Sequence, residues 1–309
     1  RIIRREEIHV VHCHNPVGGV LGRLAAWLSA REVKVIYTAH GFHFYKGGPL
    51  KSWFLFYPVE RALARMTDVL VTINREDRSC AGRFILKKGG QVAFMPGTGT
   101  DTDRFCPDRS RRQEARQVMG VKEGEYCLVT AARLDREKNC QTVLRAMEEL
   151  GDIPCRYVIC GEGPWRPFLE REVRRRGLED RVRLMGFRAD MDFLLQGADL
   201  FLFPSLREGL GMAALEAMAC GLPVVAADSR GTREYIRQGE NGFLCSGRQP
   251  REFAEAVREL WQREDLRSDM GREARRMSLR FSRQRAGEKM EEIYRSVGIW
   301  KKDPKSASL

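Results

Sequence analysis

Short apolar segments alternate with segments of helical periodicity along most of the chain, and this alternation constrains the fold more than any other feature. Such a pattern is typical of parallel sheets covered by helices. Before residue 108 it predicts four strands, at Ile8–His12, Val35–His40, Val69–Ile73 and Val92–Met95. After residue 108 it predicts six more, at Cys127–Ala131, Arg156–Cys160, Val182–Met185, Leu200–Phe203, Val224–Ala227 and Gly242–Leu244. The predicted fold class is therefore α/β, with two doubly wound, Rossmann-like domains.

A polar, glycine-rich stretch from Pro96 to Asp108 separates the two series of strands. We place the domain boundary at its end, because glycine and proline interrupt regular structure. The first domain then covers residues 1–108, the second covers 109–280, and a C-terminal helix with a polar tail covers 281–309. We expect this helix to pack back toward the first domain. The first series lacks the opening strand and glycine-rich turn of such domains, so we expect the N-terminal domain to be incomplete.

The charge balance and the cysteines bear on partners and compartment. The chain has 54 Lys and Arg against 42 Asp and Glu, a net charge of +12. The basic residues are spread along the chain among acidic ones, which argues against a nucleic-acid partner and leaves a general arginine enrichment or a phosphate-bearing partner. No apolar stretch is long enough to cross a bilayer, and the nine cysteines form no C-x-x-C pair. We therefore expect a cytoplasmic protein in a reducing compartment.

The strongest local signal follows the predicted strand Leu200–Phe203, where a loop leads into a helix that begins near Gly211. Backbone N–H groups at a helix N-terminus bind phosphate or sugar oxygens, and glycine lets a ligand approach closely. The loop contains Glu208, Gly209, Leu210 and Gly211, and Glu216 lies within the helix. Two carboxylates in this setting can accept the hydroxyl groups of a ribose and of a sugar. Each of them alone is also explained as an ordinary surface charge.

Two further loops follow the first two strands of the second domain. Arg133 and Lys138 flank the first turn, and Gly161 and Gly163 lie in the second. Ligands of open α/β sheets bind at the carboxyl ends of the strands. Arg133 and Lys138 could clamp a diphosphate there, and the glycines allow a close approach. Solvent-exposed bases and an ordinary turn are the alternative explanations.

These three segments together resemble the C-terminal domain of retaining glycosyltransferase family 4, which has the GT-B fold. The hallmark of that family is Glu-x7-Glu, which corresponds here to Glu208 and Glu216. In the first domain, the segment Tyr-Thr-Ala-His-Gly-Phe-His-Phe-Tyr-Lys-Gly at residues 37–47 resembles the subset that builds capsule, exopolysaccharide or lipid-linked oligosaccharide.

The resemblance implies two domains that face a cleft and a transfer of sugar with retention of anomeric configuration. It implies a nucleotide-sugar donor, expected to be a UDP-sugar, and a glycan or polyprenyl-diphosphate-linked acceptor, with no cofactor and no metal. Arg133 and Lys138 would bind the diphosphate, Glu216 the nucleotide ribose and Glu208 the donor sugar. His40 and Glu208 would be the catalytic residues. The remaining donor-site residues would be Gly161, Gly163, Gly209, Leu210 and Gly211.

All five histidines lie within the first 43 residues, which raises the question of a metal site. His12 and His14 could share one face of a strand end, whereas His9 points to the other face. No carboxylate lies nearby in the sequence, so we expect no metal site. We assign His14 and His43 to the acceptor side.

The segment Leu50–Arg61 is rich in aromatic residues and is preceded by Lys46. Two interpretations are open: a helix packed on its own sheet, or a helix that rests on the inner face of the cell membrane as a peripheral contact. Two alternatives to the transferase also remain. One is a sugar-nucleotide epimerase of the same fold, and the other is a non-catalytic, nucleotide-binding fragment.

Overall fold

The computed structural model describes residues 1–151 and 153–298, which form two compact units. The first unit comprises Arg1–Gly99 together with residues 283–298, and the second comprises Thr100–Ser282. Both are α/β, with parallel strands throughout. None of the helices in the described ranges combines the length and the apolar character that a membrane span requires.

The first unit contains a four-stranded parallel sheet with the strand order β1-β2-β3-β4. The strands are β1 (Val10–His14), β2 (Lys34–Ala39), β3 (Val69–Thr72) and β4 (Gln91–Phe94). The helices are α1 (Ile2–Arg5), α2 (Pro16–Leu28), α3 (Leu50–Ala64), α4 (Arg75–Ala81) and, from the C-terminal part, α12 (Arg283–Ser296). The core contains buried side chains of β2 and β3, such as Tyr37 and Leu70. It also contains aromatic residues that follow β2, such as Phe42 and Phe44.

A buried ion pair joins α2 to α3 beneath their exposed faces. Arg23 Nη2 lies 2.8 Å from Glu60 Oε2, and both side chains are buried. Tyr37 Oη donates to Glu60 Oε1 at 3.0 Å, and the Arg23 guanidinium lies over the Tyr37 ring. Because burial desolvates its phenol and the charge of Glu60 adds to this effect, the pKa of Tyr37 is raised far above its usual range. The network fixes both helices to β2.

The second unit contains a six-stranded parallel sheet with the strand order β7-β6-β5-β8-β9-β10. The strands are β5 (Tyr126–Ala131), β6 (Cys155–Cys160), β7 (Val182–Gly186), β8 (Leu200–Phe203), β9 (Val224–Ala227) and β10 (Gly242–Cys245). The helices are α5 (Arg112–Met119), α6 (Cys140–Glu149), α7 (Arg166–Arg175), α8 (Met191–Leu194), α9 (Met212–Ala219), α10 (Pro250–Gln262) and α11 (Glu264–Ser278). β6 and β8 flank β5 on opposite sides, so the strand order reverses at β5. Open α/β sheets bind their ligands beyond the carboxyl ends of the strands at such a switch point.

All ten predicted strands are present, and their bounds lie within two residues of the predicted ones. The predicted class of two parallel, Rossmann-like α/β domains is therefore confirmed. The first boundary falls at Gly99, earlier than the predicted residue 108, because the chain after Gly99 bonds to the second unit. The Thr100 N–H donates to Phe281 O at 2.8 Å, and Arg104 Nη2 lies 2.7 Å from Asp192 Oδ1.

The second boundary falls after Ser282, so α12 belongs to the first unit. Within that unit, Tyr294 Oη of α12 lies 2.9 Å from His12 Nδ1. The predicted polar tail, residues 299–309, lies outside the described residues.

Candidate active site

The loops that follow β5 and β8 meet at the switch point of the second sheet. The Leu206 N–H donates to Glu137 O at 2.8 Å. Asn139 stands before α6 with a φ of +56°, and its Nδ2 donates to Pro204 O at 3.1 Å and to Gly247 O at 2.7 Å. Three loops are therefore tied together by one buried side chain, which places their other side chains at the carboxyl edge of the sheet.

Lys138 and Glu208 form an ion pair between these loops. Lys138 Nζ lies 2.5 Å from Glu208 Oε1, and both side chains are half-buried. Asp135 shapes the turn before Lys138, because its Oδ1 accepts the backbone N–H groups of Glu137 at 2.9 Å and of Lys138 at 3.1 Å. The sequence predicted both residues for one site, and the structure brings them into contact.

Arg133 lies in the same loop as Lys138, but its side chain extends into solvent and is 72% exposed. Its ion partner is Asp135, at 3.9 Å between Arg133 Nε and Asp135 Oδ2. The guanidinium can therefore reorient toward a ligand without breaking a buried contact.

Gly161 and Gly163 lie in the turn after β6 and pack against the backbone of the loop that contains Arg133. A Cβ atom on Gly161 would lie 1.8 Å from Ala132 O, and one on Gly163 would lie 2.2 Å from Leu134 O. The Leu134 N–H donates to Glu162 O at 2.9 Å, which closes the contact between the two turns. These glycines therefore let two backbones pack together. Sequence reasoning assigned the close approach to a ligand instead.

α9 starts directly after the loop of Glu208, and Gly211 stands at its N-terminus with a φ of +97°. A Cβ atom there would lie 2.7 Å from Phe203 Cε1 and 2.9 Å from Tyr235 Oη, so only glycine fits. Leu210 is buried beneath this turn, and Gly209 is half-buried. The turn therefore presents backbone rather than side chains at the start of the helix.

Glu216 lies on α9 and is half-buried. Burial raises the pKa of its carboxyl group, and the charge of Arg104 acts in the opposite direction. Among the residues that the structure describes, none forms a hydrogen bond or an ion pair with the Glu216 carboxylate. The carboxylate thus retains its capacity to accept ligand hydroxyl groups.

Sequence reasoning missed two residues of this site, and both follow β9. Arg230 is buried, and its Nε donates to Glu208 O at 3.3 Å. Tyr235 is fully buried, and its Oη donates to Gly211 O at 3.4 Å. Their position in the sequence could have identified them, because the loop after the predicted strand β9 leaves the same edge of the sheet as the loops after β5 and β8.

In the first unit, the structure brings His14 and His40 together at the carboxyl ends of β1 and β2. His14 Nδ1 lies 3.0 Å from His40 Nε2. The ring of His12 lies 4.3 Å from that of His14 between centroids, and His12 Nε2 bonds to Thr38 Oγ1 at 2.8 Å. Burial, and next the charge of His14, lowers the pKa of His40. His40 is therefore a neutral imidazole at neutral pH.

His43, the other predicted acceptor-side residue, packs its ring on Phe56 with 4.6 Å between centroids. Within the described ranges, no group of three or more His, Cys, Asp and Glu side chains is arranged to hold a metal ion.

A cavity of about 590 Å³ lies at the opposite edge of the second sheet, away from these loops. It is lined by residues that precede β8 and β9, such as Asp199 and Pro223, and by several arginines. Two of these arginines already bond to other residues of the chain. Arg112 forms an ion pair with Asp199 at 2.6 Å, and Arg275 donates to three backbone carbonyls. We therefore place the candidate site at the carboxyl edge, where Glu216 has acceptor capacity left.

Comparison with known proteins gives consistent results. Residues 111–277 match the family of glycosyl transferases group 1, and residues 1–96 match a glycosyl transferase 4-like domain. EpsD of Bacillus subtilis, which carries a provisional name as a glycosyltransferase, is 42% identical over 298 residues, or 95% of this chain and 78% of EpsD.

A second relative is the UDP-Gal:alpha-D-GlcNAc-diphosphoundecaprenol alpha-1,3-galactosyltransferase of Escherichia coli. It is 28% identical over 250 residues, which cover 79% of this chain and 64% of the relative. Among solved structures, HepE of Anabaena in complex with UDP superimposes with a TM-score of 0.84 at 22% identity, over 96% of this chain and 80% of HepE. This likeness shows a common fold.

Proposed function

The chain belongs to the glycosyl transferases of group 1, and from this we propose that it retains anomeric configuration and takes its sugar from a UDP-sugar. The observation that carries the proposal is the arrangement at the switch point of the second sheet. There Lys138, the start of α9 at Gly211 and the carboxylate of Glu216, which forms no hydrogen bond or ion pair with any described residue, belong to the loops and the helix at this edge. Such a set suits a ligand that has a diphosphate at its centre and hydroxyl groups at both ends.

We assign each part of the nucleotide-sugar donor to a side chain by its charge and by the hydrogen-bonding capacity that protein contacts leave to it. Lys138 and the exposed guanidinium of Arg133 neutralise the diphosphate, with the N-terminus of α9 beside them. Glu216 accepts the two hydroxyl groups of the ribose. Glu208 accepts hydroxyl groups of the transferred sugar with the lone pairs that Lys138 leaves available. UDP as the nucleotide is supported by the UDP complex of HepE and by the UDP-galactose donor in the name of the Escherichia coli relative.

Retention follows in this proposal from substitution on one face of the sugar. The bond between the anomeric carbon and the phosphate oxygen breaks, and the acceptor oxygen bonds to the carbon from the same side. The acceptor proton passes to the departing phosphate oxygen. Glu208 is assigned no proton transfer in this proposal, because one of its carboxylate oxygens is already engaged by Lys138. His40 is our candidate for a catalytic residue from the first unit, where its neutral imidazole can exchange hydrogen bonds with a sugar hydroxyl.

The proposal includes catalysis without a metal ion, because Lys138, Arg133 and the start of α9 supply the positive charge that a cation supplies in other transferases. The acceptor we propose is a glycan or a polyprenyl-diphosphate-linked saccharide, as in the name of the Escherichia coli relative.

The experiment is a transfer assay with a panel of UDP-sugars and a polyprenyl-diphosphate-linked saccharide, with release of UDP and the anomeric coupling of the product measured by NMR. We expect release of UDP that depends on the acceptor, and a product with the α-configuration of the donor. A β-linked product would overturn retention. Conversion of the donor to its epimer without acceptor would identify an epimerase, and binding of UDP with no turnover would identify a non-catalytic protein.

A further inference from the structure

α3 has two apolar faces, although a helix at the surface of a domain ordinarily has one. Its inner face packs Trp53, Phe56 and Tyr57 against the core of the first unit. Eight exposed residues form the outer face: Leu50, Lys51, Phe54, Leu55, Pro58, Val59, Arg61 and Ala62. The sequence left two interpretations of this segment open. Packing on its own sheet accounts for the inner face only.

The outer face exposes large side chains. Phe54 is 81% exposed, Leu50 is 75% exposed and Leu55 is 63% exposed. Phe54 follows Leu50 by one helical turn, and Leu55 lies beside them, so the three form a continuous patch along the helix. Contiguous exposed apolar patches of this kind mark surfaces that bind a partner.

The charged side chains on the outer face of α3 and directly after the helix are basic. Lys51 and Arg61 lie on the outer face of α3, Lys46 lies in the preceding loop, and Arg65 directly follows the helix. None of these four forms an ion pair with another described residue, whereas many arginines elsewhere in the chain do. The single acid of α3, Glu60, is turned inward to Arg23.

Glu76 lies beside Lys46, and its Oε1 accepts the backbone N–H of Lys46 at 2.8 Å rather than pairing with the ammonium group. The outer face thus combines exposed aromatic and aliphatic side chains with cations that form no ion pair within the part of the chain that the structure describes. An anionic lipid surface matches both properties, because acyl chains cover the apolar side chains and the headgroups pair with the cations.

We propose that α3 docks the first unit on a membrane surface that contains anionic lipid, with Leu50, Phe54 and Leu55 inserted at the level of the headgroups. The helix lies in the plane of the interface, and Lys46, Lys51, Arg61 and Arg65 contact the lipid phosphates. Docking in this manner would bring the enzyme to a lipid-linked acceptor under the proposed function. The docking itself does not depend on that function, because lipid binding needs neither donor nor acceptor.

The test is sedimentation of the full chain with vesicles, without donor or acceptor. Vesicles of phosphatidylglycerol mixed with phosphatidylcholine should bind the protein, and vesicles of phosphatidylcholine alone should bind it weakly. The double variant Leu50→Ser with Phe54→Ser should lose about tenfold or more of its partitioning. Lys51→Glu should lose roughly fivefold or more, and added salt should weaken binding of the parent chain.

Phe187→Ser is the matched control, because Phe187 is 76% exposed but lies in the second unit. It should bind vesicles as the parent chain does, and circular dichroism should show that every variant is folded. No binding of the parent chain to anionic vesicles would overturn the proposal, as would equal binding of the Leu50/Phe54 double variant. Self-association in the absence of vesicles that the double variant abolishes would identify a second copy as the occupant, and would also overturn it.

Discussion

Replacing Gly161 by alanine should lower both the stability of the second unit and its affinity for UDP. The new Cβ atom would lie 1.8 Å from Ala132 O, with φ at +146°. A carbon and a carbonyl oxygen approach to about 3.3 Å, so the two loops must separate by roughly 1.5 Å, the difference between these distances. That separation removes the hydrogen bonds from the Ala132 N–H to Cys160 O, 3.0 Å, and from the Leu134 N–H to Glu162 O, 2.9 Å.

The magnitude follows from these losses. The unfavourable φ costs about 1–3 kcal/mol, and two backbone hydrogen bonds contribute about 1 kcal/mol each, which gives roughly 3–5 kcal/mol. Because Arg133 and Lys138 lie in the displaced loop, the affinity for UDP should fall by about tenfold or more. Urea unfolding followed by circular dichroism measures the first effect, and calorimetric titration with UDP measures the second.

Gly177→Ala is the matched control for this substitution. Gly177 has a φ of +62°, and its Cβ would meet no atom within 4 Å, so this variant should lose about 1–2 kcal/mol and bind UDP normally. If Gly161→Ala were as stable as Gly177→Ala and bound UDP as the parent chain does, the packing of the two loops would be refuted.

Three further predictions concern other parts of the chain. Glu60→Gln should lower the free energy of unfolding by about 3–5 kcal/mol, because Arg23 would stay buried without its counter-charge. The control Glu32→Gln, at an exposed position, should lower it by less than about 0.5 kcal/mol. Equal losses in the two variants would contradict a stabilising role of the buried ion pair. Burial and two neighbouring histidines lower the pKa of His12 from 6.5 to about 4. The folded state binds the proton more weakly than the unfolded state. The contribution of His12 to stability is therefore complete above the unfolded pKa and is lost as the pH falls from 6.5 toward 4. If NMR showed the His12 ring titrating near pH 6.5, the lowered pKa would be refuted. Turnover should be unchanged in EDTA, whereas a loss that manganese or magnesium restores would contradict catalysis without metal.

The strands were predictable because parallel sheets are covered on both faces, so their strands appear in the sequence as apolar runs. Leu200–Phe203 was predicted with its bounds correct, since all four side chains are buried. The first strand was placed two residues too early, at Ile8–His12 instead of Val10–His14. It contains His12, whose partners Thr38 and Tyr294 are distant in the sequence, and local periodicity carries no information on such contacts.

The site was predictable to the extent that it lies on loops that leave the carboxyl edge of the sheet. Lys138 and Glu208 were assigned to one site from two separate segments, and they are in contact. The bracing role of Gly161 was not predictable, because it depends on the distance between two backbones. Arg230 was missed although it follows a correctly predicted strand, because a buried arginine cannot be distinguished from an exposed one by sequence alone.

The most direct test of the account is calorimetric titration of UDP into the full chain and into two variants, Lys138→Ala and Glu216→Ala. The account predicts that the parent chain binds UDP and that each variant loses about 1.5–3 kcal/mol of binding free energy, or roughly tenfold to 150-fold in affinity. Lys122→Ala, at an exposed position of the same unit, should bind as the parent chain does. No binding of UDP to the parent chain, or unchanged affinity in both site variants, would contradict the placement of the donor site at the switch point of the second sheet.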